Sequence, residues 1–568
     1  MTSSIIQKSA RLVVGYSHLY GATSNLSDLV ELIKKYPLYQ WLNFLSRIQL
    51  VISGEKFKEV ESQKEVFERI FSNKAKQNVV EWVNKNPEAA KAGIMFTERQ
   101  VTVLQELAIL HAPEVLDKKA FEGEEDFDVL SKALLIVNDL IYDDEDAQEQ
   151  NLIAALIHTQ ATTHVLPLAR SFSRAVKFYQ LDEVEKSSVL MQYRALFKEA
   201  TGYEIDEYVL GGMCYAMHEE QRTHEDICNG WYALQKPDKC NNRSEKIIRK
   251  AFYSLKTGLI SDIRKAVQSL EGDNPREFNL IAVSKYPIVE LENGSAYVLN
   301  SSSLGRSLYD GPRHIIMSKA IERGNGEPNR VGGIFGEIFQ DYVLKLLTEK
   351  FNEKIIEISD AEFKGYADCL LLFGNSVVVV EIKSEHFHAR NHAKFLTIEE
   401  RIDQIRETVI GKSVAQIKST IVDLRNGNLS KALGLPYIDW TITPIIPLVI
   451  TDENLPMFPL ICEKLYTPLE EPLKKLSGGH GPIRRMRILS VEDLEMFQDI
   501  SVPHDFGQLL QRWGNDEETF DSSFKNYLLA KSFRIGTQSF IADFEHACKL
   551  MAARLGLDPE SIRASTRP

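Results

Sequence analysis

Residues 364–385, KGYADCLLLFGNSVVVVEIKSE, decide how this 568-residue chain is read. Two apolar runs flank Gly374-Asn375, which predicts a two-residue hairpin loop in which Phe373 faces Ser376. Glycine in the first loop position suits a type II′ turn. Counting outward places Asp368 directly opposite Glu381, with Cβ atoms about 4.5–5.5 Å apart. Side chains alternate along a strand, so Glu381 and Lys383 share a face. Leu370, Leu372, Val377 and Val379 lie on that face, and Val378, Val380 and Ile382 on the other. Strands apolar on both sides belong inside a sheet covered by helices.

Two carboxylates opposed in such a place repel each other and are costly to desolvate. A divalent cation removes the conflict, because Mg²⁺ takes hard oxygen ligands. Lys383 then has a role, holding or deprotonating a water beside the cation, or stabilising charge on a phosphoryl oxygen. The competing reading is a buried Glu381–Lys383 or Asp368–Lys383 ion pair with no chemistry, including a degenerate fold kept for binding.

Outward from the hairpin, VGGIFGEIFQDYVLKLLTEKF reads as a helix and KIIEIS as a strand. A charge-rich helical stretch (397–431), the strand IIPLVIT (445–451), the strand RMRILS and the helix VEDLEMFQDI follow. The order is α-β-β-β-α-β with a further strand and helix, a mixed sheet with helices against it. Residues 1–275 read as helix after helix. SNLSDLVELIKKY offers Ser and Asp caps, and Thr97 with Gln100 forms a capping box. DEVEKSSVLMQYRALFKEA and EKIIRKAFYSLKTGLISDIRKAVQSL continue the helical spacing. FNLIAVSKYPIVELENGSAYVLN (278–300) reads as short strands turning at Asn293-Gly294, and ERGNGEPNR (322–330) as a polar loop. The expected division is a helical domain (1–275), a short β-hairpin connector (276–325), a mixed-sheet domain (326–504) and a helical C-terminal extension (505–568).

Asp368 followed by Glu381-Ile382-Lys383 on adjacent strands, after a helix bearing an acidic residue, resembles the PD-(D/E)xK superfamily of restriction-endonuclease-like nucleases over about residues 330–500. Ala367 stands where the family name has proline. On the upstream helix, relatives often carry Gly-x-x-Phe-Glu-x-Tyr. This chain has Gln340 at the acidic position, with Glu337 one turn earlier on nearly the same face. The resemblance implies a restriction-endonuclease-like core, with Mg²⁺ or Mn²⁺ held by Asp368, Glu381, the Ile382 carbonyl and Glu337, and Lys383 activating water. Gln416 in KSVAQIKST matches a glutamine found on the helix after the hairpin in some branches, although Thr420 stands where a tyrosine follows. The implied product is a cleaved phosphodiester, with DNA favoured over RNA, and the implied setting is prokaryotic defence against foreign DNA. The alternatives are a subunit silent until a partner activates it and a non-catalytic scaffold. The helical half would recognise a target, a protein partner or a second copy.

Net charge is −13, which argues against a protein that coats nucleic acid through overall charge but not against one with a local basic groove. Arg390, Lys394, Arg401, Arg406, Lys412, Lys418, Arg425 and Lys431 form such a candidate, as does the loop GGHGPIRRMR (478–487); a solvated helix face is the plainer account. His386, His388 and His392 follow the lysine, either as phosphate contacts or as a polar rim. Cys214, His218, His224 and Cys228 have ligand types that suit zinc, but the spacing matches no familiar finger. RETVIGKS has Arg406 where a phosphate loop needs its first glycine, so no nucleotide cofactor is expected. Six scattered cysteines, no signal peptide and no membrane-length apolar run give the expectation of a cytoplasmic protein.

Overall fold

A computed structural model describes residues 12–53, 67–87, 93–114, 123–141, 168–220, 234–270, 278–358, 363–384, 398–452, 475–477, 481–498, 506–515, 524–533 and 538–556, apart from isolated positions within them, together with a few single residues between. The chain begins with a two-residue strand, β1 (Leu12–Val13), parallel to β2 (Gly93–Ile94). The helix Leu26–Ile33 starts at Asn25 rather than at a serine or aspartate: Asn25 Oδ1 accepts from the Asp28 N–H. Helix α1 (Glu98–His111) carries the predicted capping box, Thr97 and Gln100 each accepting from the other's backbone N–H.

Helices α2 (Leu168–Phe178), α3 (Ile205–Glu220) and α4 (Arg243–Lys256) follow. The long stretch 245–270 is not one helix. Thr257 and Gly258 are poor helix formers, and β3 (Thr257–Leu259) interrupts it to pair in parallel with β4 (Ile288–Glu290). With β1, β2 and β3 present, the first half is mostly rather than wholly helical. β4 and β5 (Ala296–Val298) form the expected hairpin, with Gly294 at φ +78 in its turn. The strand expected at 281–285 is instead a short helix. Much of the supposed connector is helix α5 (Ser301–Arg323). Only residues 324–326 separate it from α6 (Glu327–Phe351).

Next come β6 (Ile355–Glu357), β7 (Cys369–Phe373) and β8 (Ser376–Lys383), then helices over 398–432 including α7 (Gly411–Arg425). β9 (Ile445–Thr451), β10 (Arg487–Ser490) and α8 (Val491–Gln498) complete this region. Three further helices, Phe506–Asn515, Phe524–Ala530 and Gln538–Leu555, lie in the tail. The sheet order is β10-β9-β8-β7-β6. β6, β7 and β8 are antiparallel neighbours, while β8, β9 and β10 run parallel. The element order is thus the expected α-β-β-β-α-β with one more strand and helix.

β8 is central and has seven of its eight residues buried, which is why it reads as an unbroken apolar run. Val378, Val380 and Ile382 face α6, which contributes Phe335, Phe339, Val343 and Leu346 at helical spacing. Val377 and Val379 face α7, which contributes Val414, Ile417, Ile421 and Leu424. Among the described residues no helix is long and apolar enough to cross a membrane.

Candidate functional site

Phe373 pairs with Ser376, so the hairpin loop has the two residues expected. Gly374 does not take the positive φ of a type II′ turn, so the turn type differs from the prediction. From the loop the ladder runs outward in the predicted register to Cys369 opposite Val380.

One step further it breaks. A regular ladder would set Asp368 against Glu381, but the Asp368 N–H donates to the Val380 carbonyl at 3.0 Å. Asp368 and Cys369 therefore both lie against Val380. Two residues opposite one is the pattern of a β-bulge, which bends the strand and re-aims a side chain. Beyond it the strands part. The Ala367 N–H donates to Thr420 Oγ1 on α7 at 2.8 Å. The Ile382 N–H, left without a ladder partner, donates to Asp368 Oδ2 at 2.5 Å. Asp368 Oδ1 accepts from Gln340 Nε2 on α6 at 2.9 Å. Asp368 is thus held at the fork between the strands rather than directly across from Glu381.

Glu381 is fully buried. Lys383 Nζ lies 2.5 Å from its Oε1 and donates to Gln416 Oε1 on α7 at 2.9 Å. Gln416 Nε2 in turn donates to the Tyr366 carbonyl at 3.0 Å. The two flanking helices therefore each send a glutamine to the hairpin, Gln340 to Asp368 and Gln416 to Lys383. Thr420, four residues after Gln416, fixes the backbone just ahead of Asp368.

Glu337 is exposed one turn before Gln340. Its charge acts on Asp341, whose carboxyl is pushed up by burial and then by Glu337 and Glu357. The structure brings Gln340, not Glu337, onto Asp368. His386, His388, Arg390, His392 and Lys394 lie outside the described residues.

The basic candidates divide. Arg406 pairs with Asp403 at 3.0 Å. Arg425 is spent on the Leu476 and Gly481 carbonyls, which anchor the loop ahead of β10. Arg487 is buried over the Trp513 ring at 4.7 Å, so that end of the proposed basic loop is core. Cys214 is also core: its Sγ lies 3.7 Å from Met551 Sδ, and burial pushes its thiol up to about 12. His224 and Cys228 lie outside the described residues.

No known protein family, curated protein or solved structure matches this chain.

Carboxylate oxygens are the donors that a hard cation takes. Asp368 and Glu381 are both buried, Asp368 held by Gln340 of α6 and Glu381 paired with Lys383, which reaches Gln416 of α7. Among the described residues no group of three or more His, Cys, Asp or Glu is placed to hold a metal. A cation here would take two carboxylates and backbone or water oxygens, which is how Mg²⁺ is commonly bound.

Proposed function

We propose that the chain is a Mg²⁺- or Mn²⁺-dependent nuclease whose site is the fork between β7 and β8. The observation that carries this reading is the placement of Lys383 between Glu381 and Gln416, with a bulged Asp368, just ahead of the neighbouring strand, that Gln340 holds from the opposite helix. Asp368, Glu381 and Lys383 are residues that the resemblance to PD-(D/E)xK nucleases implies, and the α-β-β-β-α-β order of elements supports the reading. Asp368, Glu381 and the Ile382 carbonyl would hold the cation. A bound divalent cation supplies charge neutralisation at the phosphate and a more acidic water. Lys383 would orient that water and stabilise charge on the phosphoryl oxygen. Gln416 fixes the ammonium, and Gln340 fixes the Asp368 carboxylate. The product is a cleaved phosphodiester, with DNA as the favoured substrate and defence against foreign DNA as the setting that suits it.

One observation favours a latent form of this enzyme. Both oxygens of Asp368 are engaged by protein donors, and Glu381 is held by Lys383. A divalent cation would compete with the Lys383 ammonium for Glu381, and a partner acting through the helical half would serve as the trigger. Nicking of supercoiled plasmid with added Mg²⁺ or Mn²⁺ tests the proposal, with Glu381→Ala and Lys383→Ala as controls. Cutting by the wild type that both substitutions abolish supports it; equal cutting by the controls removes the assignment. Binding of Mn²⁺ without cutting points to the latent form.

A further inference from the structure

We infer that Arg313 and Asp452 act as a positioning pair for Lys383, which makes helix α5, outside the nuclease-like core, part of the candidate site. The inference rests on the reading of Lys383 given above.

Lys383 is the last residue of β8, and its backbone carbonyl accepts from the Asp452 N–H at 3.2 Å. Asp452 follows β9 and is buried. Its Oδ1 accepts from Tyr309 Oη at 2.7 Å, and its Oδ2 lies 3.4 Å from Arg313 Nη1. The other guanidinium nitrogen, Nη2, donates to the Ser384 carbonyl at 3.1 Å. Tyr309 and Arg313 are one turn apart on α5, so both reach the same strand ends. The Arg313 guanidinium also sits 4.0 Å over the Phe335 ring of α6, five residues before Gln340. The peptide groups on either side of Ser384 are therefore tied to α5, one through Asp452 and one directly. A planar, forked cation suits this task because it reaches a carboxylate and a carbonyl at once, which an ammonium does less well.

The tie continues away from the site. Tyr309 packs edge-on against Phe178 of α2 at 4.9 Å, and its carbonyl accepts from Tyr179 Oη at 2.5 Å. A movement of α2 and α5 would therefore be felt at the end of β8. The direction of the Lys383 side chain depends on that backbone, and small displacements of a catalytic group are costly to rate.

Four variants of the full chain test this: Arg313→Met, Arg313→Lys, Asp452→Asn and Lys383→Ala. Each is labelled with ¹³C at lysine Cε, and Lys383→Ala identifies the Lys383 signal. Arg313→Met and Asp452→Asn are expected to shift that signal and to lower the Mn²⁺-dependent cleavage rate constant roughly tenfold or more, with KM for DNA nearly unchanged. Arg313→Lys is expected to restore part of both. A Lys383 signal and rate constant that stay at wild-type values in folded Arg313→Met and Asp452→Asn overturn the inference, whatever their melting temperatures. Should the signal move while wild type cuts no substrate, the positioning pair stands and the nuclease reading fails. Asp452→Asn and Arg313→Lys decide the matter if Arg313→Met does not fold.

Discussion

The Ile382 N–H and Asp368 Oδ2 are 2.5 Å apart at the point where β7 and β8 separate. A carboxylate has taken the place of a ladder carbonyl. That gives Asp368 a structural task besides any chemical one, and the two can be separated. Asp368→Ala leaves the Ile382 N–H and the Gln340 amide without their acceptor in a buried setting, a loss of about 2–4 kcal/mol at the usual cost of an unmet buried donor. Asp368→Asn keeps one acceptor oxygen, and Gln340 can turn its own oxygen toward the new amide, so the loss is expected to be about 1 kcal/mol. Both variants are expected to abolish metal-dependent cleavage. Urea unfolding and plasmid nicking, run side by side, check the split; a stable but active Asp368→Asn would remove Asp368 from the chemistry.

Gln340 stands where relatives of the suggested superfamily often carry an acid. Its amide nitrogen is 2.9 Å from Asp368 Oδ1, so Gln340→Glu sets two carboxylates against each other. Without a cation that repulsion lowers stability, and a divalent cation relieves it. In EDTA the variant is expected to melt several degrees below wild type, a shift set by about 1–2 kcal/mol. Millimolar Mn²⁺ is expected to raise its melting temperature by more than it raises that of wild type. Equal responses of the two proteins to Mn²⁺ would place the cation elsewhere.

Parts of this arrangement are legible in the sequence. Gly374-Asn375 between two unbroken apolar runs fixes the loop length and hence the register as far as Cys369 and Val380. The run IIPLVIT coincides with β9, because a strand buried on both faces carries few polar residues. What the local sequence does not show is where the ladder ends. Nothing in ADCLLLF announces a bulge at Asp368. It depends on Thr420, which accepts from the Ala367 N–H 53 positions before it, and on Gln340, which donates to Asp368 Oδ1 from 28 positions before it. Pairing by counting therefore overshoots by one step and makes Asp368 and Glu381 partners. Arg313 and Asp452 are invisible for the same reason, since each looks like an ordinary surface charge until α5 is packed across the strand ends. The break at Thr257-Gly258 is visible as weak helix formers inside an otherwise helical period, but its pairing with β4 is not.

Helix α3 carries two adjacent glycines, Gly211 and Gly212, which a free-standing helix would not favour. Packing accounts for them. A Cβ on Gly211 would lie 2.1 Å from the Ile248 carbonyl oxygen of α4, a backbone atom that cannot step aside. A Cβ on Gly212 would meet side chains of Leu308 and Phe252 at 2.3 and 2.6 Å, which have some freedom to shift. Gly211→Ala is therefore expected to lose about 3 kcal/mol, more than its gain in helix propensity, and Gly212→Ala about 1–2 kcal/mol. Denaturant midpoints of the two variants check the order; Gly211→Ala as stable as wild type would mean that α3 and α4 are farther apart than described.

Lys256, at the end of α4, is buried, and that burial lowers its ammonium from the ordinary 10.5 to about 8, against an opposing pull from Asp310. In the unfolded chain the same group keeps its proton up to the ordinary value. Between about pH 8 and 10.5 the unfolded state therefore binds more protons than the folded one, so this residue makes stability rise with pH across that window. Below pH 8 both states are protonated, and the folded chain bears the full cost of a charged amine in the core. Lys256→Met removes the titration. Relative to this variant, wild type is expected to gain about 3 kcal/mol as pH goes from 8 to 10.5. Paired urea titrations of the two proteins at pH 7, 8, 9 and 10 measure the difference directly, and a constant gap between their midpoints would show that Lys256 is hydrated rather than buried.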